Sequence, residues 1–461
     1  MPNLGLGTFL ARQMIVVALP HVNSFKPKVY CCIFFAGKCR YFCSQYMLYL
    51  RSFTKKNMLK VKDRRGTLSV KYDSLLEHFG VDGVTPLWVA DMDFESPLCV
   101  REALEKIVSG AVYGYNIIPP KFFETIQKWI RDVQGWKIEK EWCSFIPGIV
   151  KGIGYVINYF TKPGDGIIIQ PPVYPPFTNV PKGNGRNVLY NPLIRVEDGS
   201  YRMDFDNLEA VASRDDAKLM ILCNPHNPCG IAWDRESLAK VADICYRHNV
   251  LVVSDEIHAD MPLSKTVHIP FATVSEAAAM NSITFGAPSK TFNMAGIVSS
   301  FSIVPNEKIR KEFYSWMGVN ELNSPTIFAT EATIAAYTKG EEWRGEMLEY
   351  IEENVNFTME YFKQNIPLIK PVRPMSSFLV WLDCRELCKA IGGATPDTAT
   401  QKRLVNLFLN DAGLALNDGS AFGPGGLGYM RLNVGCSLEL LAEAYERLRV
   451  AVGKNINNLL K

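Results

Sequence analysis

The sequence predicts an α/β fold, with a large, mostly parallel sheet flanked by helices and a smaller α+β domain after it. Two observations predict it. From Asp63 onward, short runs of β-branched and other apolar residues alternate with stretches of helical period. The runs end at Pro-, Gly- and Asn-rich segments, where a chain leaves a strand. A length of 461 residues accommodates such a domain with an appendage.

Taken in order, Gly166-Ile-Ile-Ile-Gln170 follows a Pro-Gly-Asp-Gly turn and reads as a buried strand. Lys218-Leu-Met-Ile-Leu-Cys223 reads as a second, ending at a loop rich in Asn and Pro. A helical stretch from Asp234 to His248 leads into a third strand, Leu251-Val-Val-Ser254. Ser282-Ile-Thr-Phe285 is a fourth, and the run from Gly296 to Ile303 a fifth. Strand, helix, strand in succession implies parallel pairing with helices on both faces. Later, a long helical region from Glu346 to Gln364 precedes the strand-like Phe378-Leu-Val-Trp-Leu382 and a Gly-rich loop. The expected division is an extension at 1–57, an N-terminal segment at 58–108 that joins the small domain, a large domain at 109–345 and the small domain at 346–461.

Composition removes several function classes. Hydrophobic residues make up 48% and charged residues 21%, as in ordinary globular proteins. A net charge of +3 is too small to argue for nucleic acid. No apolar run reaches the ~18–20 residues of a membrane helix. The 12 cysteines lack paired spacing, which reads as reduced thiols in a cytoplasmic protein. Cys31, Cys32, Cys39 and Cys43 cluster without the partners that a zinc site needs. The first acidic residue is Asp63, so the extension is basic. Met58 reads as the natural start, with residues 1–57 outside the folded enzyme.

In parallel sheets ligands gather at the carboxyl ends of the strands. Three loops lie there: Asn224-Pro-His-Asn-Pro-Cys-Gly230, Asp255-Glu-Ile-His-Ala-Asp260 and Gly286-Ala-Pro-Ser-Lys-Thr-Phe-Asn293. Singly, each is explained by a turn, a helix cap or a solvated lysine. Asp255, His258 and Asp260 could also be metal ligands, but no second cluster completes a coordination shell.

In order and spacing, the three loops resemble the signature segments of fold-type I pyridoxal-5′-phosphate (PLP) enzymes, the aminotransferase class I/II superfamily. The likeness runs from Asp63 to the C-terminus. Asp63-Arg-Arg-Gly-Thr67, Trp88-Val-Ala-Asp-Met-Asp-Phe94, Tyr113-Gly-Tyr115 and Ser289-Lys-Thr-Phe-Asn-Met-Ala-Gly296 are similar to its cystathionine β-lyase branch, the MalY/PatB-type C–S lyases.

The resemblance implies that Lys290 forms the Schiff base with the PLP aldehyde and, once freed by substrate, removes the Cα proton. It implies that Asp255 faces the pyridine nitrogen, where attraction at ~3 Å and an effective dielectric of ~20 is on the order of 5 kcal/mol. Asn227 and His258 fall at positions that serve the phenolate oxygen, and Tyr174 resembles the aromatic that stacks on the ring. Backbone N–H groups of Ile149 and Val150, in Gly148-Ile-Val-Lys-Gly152 at a helix start, suit the phosphate, with Ser289 as a hydroxyl donor. Tyr115 resembles the tyrosine that reaches the phosphate of the neighbouring subunit, which implies a homodimer with shared sites. Arg431 matches the arginine that pairs with the substrate α-carboxylate, joined on the substrate side by Asn227 and Ala90. No metal is implied. Ala287 and Val298 depart from the aminotransferase pattern, standing where many relatives have a phosphate-binding serine and arginine.

Three functions fit these residues. The branch motifs favour β-elimination from L-cystathionine or another S-substituted cysteine, giving a thiol such as homocysteine, pyruvate and ammonia, a step of methionine biosynthesis. An aminotransferase on the same scaffold is the second. A PLP-binding protein with a regulatory partner is the third.

Overall fold

The computed structural model describes residues 59–393 and 396–459, and Met58–Lys461 forms one compact unit. The extension expected at 1–57, with its cysteine cluster, lies outside the described residues.

Runs such as Ile167-Ile-Ile and Leu251-Val-Val are apolar on both sides of a strand, so they need cover on both faces. They form the centre of a seven-stranded sheet: β1 (Cys143–Ile146), β2 (Gly166–Ile169), β3 (Asn187–Tyr190), β4 (Ala217–Cys223), β5 (Leu251–Asp255), β6 (Ser282–Gly286) and β7 (Ser300–Ile303). The spatial order is β1-β7-β6-β5-β4-β2-β3. All neighbours are parallel except β7, which runs antiparallel to both β1 and β6. Helix α1 (Ile149–Phe160) follows β1, and α2 (Arg235–Arg247) connects β4 to β5. The Asp234 carboxylate caps α2 by accepting from the Ser237 amide.

The expected strand over 296–303 is shortened. Only Ser300–Ile303 pairs, while Ala295–Ile297 forms a 3₁₀ turn and Val298 takes a left-handed φ of 56°. The last rung to β6 joins Phe301 to Gly286 and the last rung to β1 joins Ser300 to Ile146, so the residues before Ser300 lie beyond the ladder on both sides. Two strands not read from the sequence, β1 and β3, are four residues each and mix polar with apolar side chains.

A second sheet, antiparallel and four-stranded, contains β8 (Lys370–Val372), β9 (Leu379–Asp383), β10 (Asn417–Asp418) and β11 (Tyr429–Asn433) in the order β8-β9-β11-β10. The long helix α3 (Glu341–Asn365) is fastened here by Asn354, whose Nδ2 donates to the carbonyls of Val434 and Cys436 at 2.8 Å each.

Residues 85–93 run beside this region. Thr85–Pro86 pairs in parallel with Leu414–Ala415, Asn433 N donates to Leu87 O at 3.0 Å, and Asp93 N donates to Gly435 O at 2.8 Å. Beneath them Lys71, fully buried, donates to Asp93 at 2.9 Å, and the Tyr72 hydroxyl meets the same oxygen at 2.9 Å. A buried ammonium needs such a partner.

Candidate active site

The parallel register brings the three sequence-marked loops to one level. Cys223 lies opposite Asp255, and Asp255 opposite Phe285, so β4, β5 and β6 release their chains side by side. β1, antiparallel to β7, points the same way as β6, so α1 begins at this same edge. The turn into α1 needs Gly148, whose φ is 103°. Ser300 pins that turn: its Oγ donates to Ile146 O at 2.7 Å and accepts from Gly148 N at 2.9 Å. At position 152 of α1 a Cβ would stand 2.8 Å from Ile146 Cγ2 and 3.0 Å from Phe285, so glycine lets the helix pack onto the sheet.

Between these elements lies a cavity of about 310 Å³. Ala90, Ile149, Val150, Tyr174, Asn227, Asp255, His258, Ser289 and Lys290 all line it. Arg431 stands directly behind, donating through Nη1 to Asn227 Oδ1 at 3.1 Å. Its Nη2 donates to Trp88 O at 2.9 Å and to Asn417 Oδ1 at 2.5 Å, and its guanidinium lies over the Phe422 ring at 5.1 Å. Tyr115 is not brought into this cavity; its side chain is fully exposed on the segment that also carries exposed Val112, Tyr113 and Ile117. A larger groove of about 870 Å³, along residues 61–93, holds neither Lys290 nor any strand end of the large sheet.

The electrostatics follow from burial. The Lys290 amine is pushed down to about 8 by burial and by Arg431, against the pull of Asp91 and Asp255. Its Nζ donates to the carbonyl of Ala90 at 2.5 Å. Burial pushes the Asp255 carboxyl up to about 7, with Glu256 adding to the rise. Asp255 Oδ1 accepts from the Ile257 amide at 3.1 Å, a turn contact and not a helix cap. His258 is held down at about 3 by burial, so its imidazole is neutral near pH 7, and its buried Nδ1 has no partner among the described residues. Burial also lowers Arg431 to about 10; among the described residues no carboxylate pairs with it and its Nε lacks a partner. A buried arginine with an unused donor is a site prepared for an anion.

These groups fit PLP one by one. The amine can meet an aldehyde, the buried carboxyl a pyridine nitrogen, and the amide of Asn227 a phenolate oxygen. The first turn of α1 presents N–H groups and a positive dipole end to a phosphate. The orphaned His258 Nδ1 and Arg431 Nε are donors or acceptors in want of a ligand. The metal reading loses its third member: Asp260 accepts from Trp129 Nε1 at 2.9 Å and Gln134 Nε2 at 2.8 Å, tying its loop to helix Pro120–Gln134. Among the described residues no cluster could hold a metal ion.

The family model for aminotransferase class I and II matches residues 83–448. The chain belongs to this family. Within it, cystathionine β-lyase PatB of Bacillus subtilis is 41% identical over 396 residues, covering 86% of this chain and 100% of that protein. Protein MalY of Escherichia coli is 32% identical over 379 residues, covering 82% and 94%. Among solved structures, cystalysin from Treponema denticola, which contains PLP, superposes with a TM-score of 0.79 at 30% identity, covering 86% of this chain and 99% of that one. The PLP-bound C–S lyase of Staphylococcus hominis does so with a TM-score of 0.79 at 28% identity, covering 87% and 99%. PLP is therefore the cofactor of this aminotransferase-family chain.

Sequence reading missed four residues that shape the site. Asn417 and Phe422 contact Arg431, Asn433 clamps the Trp88–Phe94 loop at Val89 and Asp91, and Asn293 clamps it at Met92 and Phe94. Asn293 and Asn433 sit inside motifs already marked, three and two residues past Lys290 and Arg431. Nothing in the local sequence points to Asn417 or Phe422.

Proposed function

We propose that this chain is a PLP-dependent carbon–sulfur β-lyase that cleaves L-cystathionine, or a related S-substituted cysteine, to a thiol such as homocysteine, pyruvate and ammonia. One observation carries the reading: a relative named cystathionine β-lyase matches over its whole length at 41% identity, while the groups the reaction needs converge on one cavity.

When bound, PLP supplies an aldehyde carbon for the amino group and an electron sink for the pair left on Cα. The protein's own residues do the rest. Arg431 takes the α-carboxylate through its free Nε–H and a guanidinium N–H, which fixes the Cα–H bond relative to the cavity. Lys290, near neutrality for its amine, receives the Cα proton at Nζ and holds it against Ala90 O. Asp255, once ionised opposite a cation, keeps negative charge at the floor of the site. Asn227 links the cofactor side to Arg431 through its Oδ1. Ile149, Val150 and Ser289 hold the phosphate, Tyr174 and His258 the ring, and Ala90 borders the substrate. With Val298 and Ala287 in place of the usual arginine and serine, helix α1 carries more of the phosphate's charge.

The same reading makes the protein a cytoplasmic homodimer that supplies methionine biosynthesis. The exposed Tyr115 segment supports shared sites, since it carries apolar side chains that a partner would cover. Segment 58–108 joins the small domain 346–461 around the large domain 109–345, a division that the pairing of Thr85–Pro86 with Leu414–Ala415 supports.

The test is direct. Purified protein given L-cystathionine and no keto acid should release pyruvate in step with homocysteine. A strict keto-acid requirement assigns the chain to transamination and overturns the lyase reading.

A further inference from the structure

The Trp88–Phe94 loop meets the site through its backbone: Ala90 O accepts from Lys290 Nζ at 2.5 Å and Trp88 O from Arg431 Nη2 at 2.9 Å. A carbonyl has no side chain to place it, so something else must. Asn293, one helical turn's length past Lys290, uses its whole carboxamide on this loop. Its Oδ1 accepts from Met92 N at 3.0 Å, and its Nδ2 donates to Met92 O at 2.9 Å and Phe94 O at 2.6 Å. Its own carbonyl accepts from Ser96 Oγ at 2.7 Å. The residue has a φ of 50°, in the left-handed region that asparagine tolerates better than most. On the same loop Asn433 Nδ2 donates to Val89 O at 2.5 Å and Asp91 O at 2.7 Å. Asn433 thus holds the two neighbours of Ala90, and Asn293 holds the residues that follow and ties them to the Lys290 turn.

We propose that Asn293 is a positioning residue for proton transfer, tying the Lys290 turn to the Trp88–Phe94 loop so that the Ala90 carbonyl holds the free lysine amine. A neutral amine that donates one N–H to Ala90 O turns its lone pair away from that oxygen. When the Cα–H bond breaks, its electron pair stays with the substrate and cofactor, and the proton goes to Nζ. The resulting ammonium keeps Ala90 O as acceptor, in a bond that gains strength from the charge. Returning the proton restores the amine. The inference rests on the PLP reading but not on C–S scission.

Holoenzyme exchange of the Cα proton of L-alanine with solvent deuterium tests it. Alanine has no β-leaving group, so exchange reports proton transfer whatever becomes of a thioether, and the two readings fail separately. Asn293→Gly keeps the left-handed backbone and removes the clamp; Asn293→Asp keeps one acceptor but sets a carboxylate against two carbonyls. In both, the saturating exchange rate should fall by about tenfold or more, with half-saturating alanine within about threefold of wild type, since Arg431 is untouched. Visible absorbance and circular dichroism of the bound cofactor should remain. Wild-type exchange in either variant overturns the proposal. So does a loss seen only where cofactor is released or the protein melts early, which would make Asn293 a fold-maintaining residue.

Discussion

At the scale of the residue, the site is a set of ionisable groups kept from water. Arg431 shows the consequence most simply: of the five donors on its buried guanidinium, three go to Asn227, Trp88 and Asn417, and among the described residues Nε–H has no partner and no carboxylate pairs with the charge. Replacing it by lysine keeps a charge but loses the planar fork. Arg431→Lys should therefore lower kcat/KM for L-cystathionine by roughly a hundredfold, chiefly through KM, as expected for losing about 2–3 kcal/mol of charge-assisted bonding. Steady-state kinetics checks it. Lys290 gives a prediction about pH. Its amine titrates at about 8, and only the neutral form attacks an aldehyde. In cofactor-free protein the rate of PLP loading, followed by visible absorbance, should rise as pH increases through about 8 and level off above it. A rate that falls across that range would contradict a half-buried, partly neutral lysine. Both residues stand out in the sequence through their neighbours: Lys290 within Ser289-Lys-Thr-Phe-Asn and Arg431 within Tyr429-Met-Arg-Leu-Asn433. The unused Nε and the Ala90 contact do not, because each needs an element far along the chain.

At the scale of the element, strand register and one buried ion pair do the positioning. The loop that carries Ala90 sits on Asp93, which is buried with Lys71 and accepts from it at 2.9 Å. Asp93→Ala strands a buried ammonium and should destabilise the protein by about 3–5 kcal/mol. Asp93→Asn, which keeps a hydrogen-bond acceptor, should cost less. Urea unfolding of the two variants measures the difference; equal costs would mean that the acceptor kept by asparagine contributes nothing and that the lost charge accounts for the whole effect. The run from Gly296 to Ile303 shows why elements are harder to read than residues. Its composition is strand-like throughout, yet β6 ends at Gly286 and leaves the first four residues without a partner. Pairing, not propensity, decides where a strand begins.

At the scale of the whole molecule, Tyr115 is the open term. It is fully exposed, on a segment with Val112 and Ile117 exposed beside it. If the segment serves a second copy, sites are built from two chains. Lys290→Ala and Tyr115→Ala proteins, each impaired alone, should then regain activity when unfolded and refolded together. Random pairing makes half the dimers mixed, each with one intact site, so roughly a quarter of wild-type activity should return. No recovery would assign Tyr115 to its own chain's surface.

Local pattern alone determined the α/β class, the succession of central strands along the chain and the three loops after them, because apolar period and turn chemistry are written in neighbouring residues. Only the tertiary structure decided that Asn417 and Phe422 contact Arg431, that Asn433 and Asn293 hold the loop carrying Ala90, and that Asp260 is tied to Trp129 and Gln134. Those contacts join residues far apart along the chain, and their meaning depends on burial, which no short stretch of sequence contains.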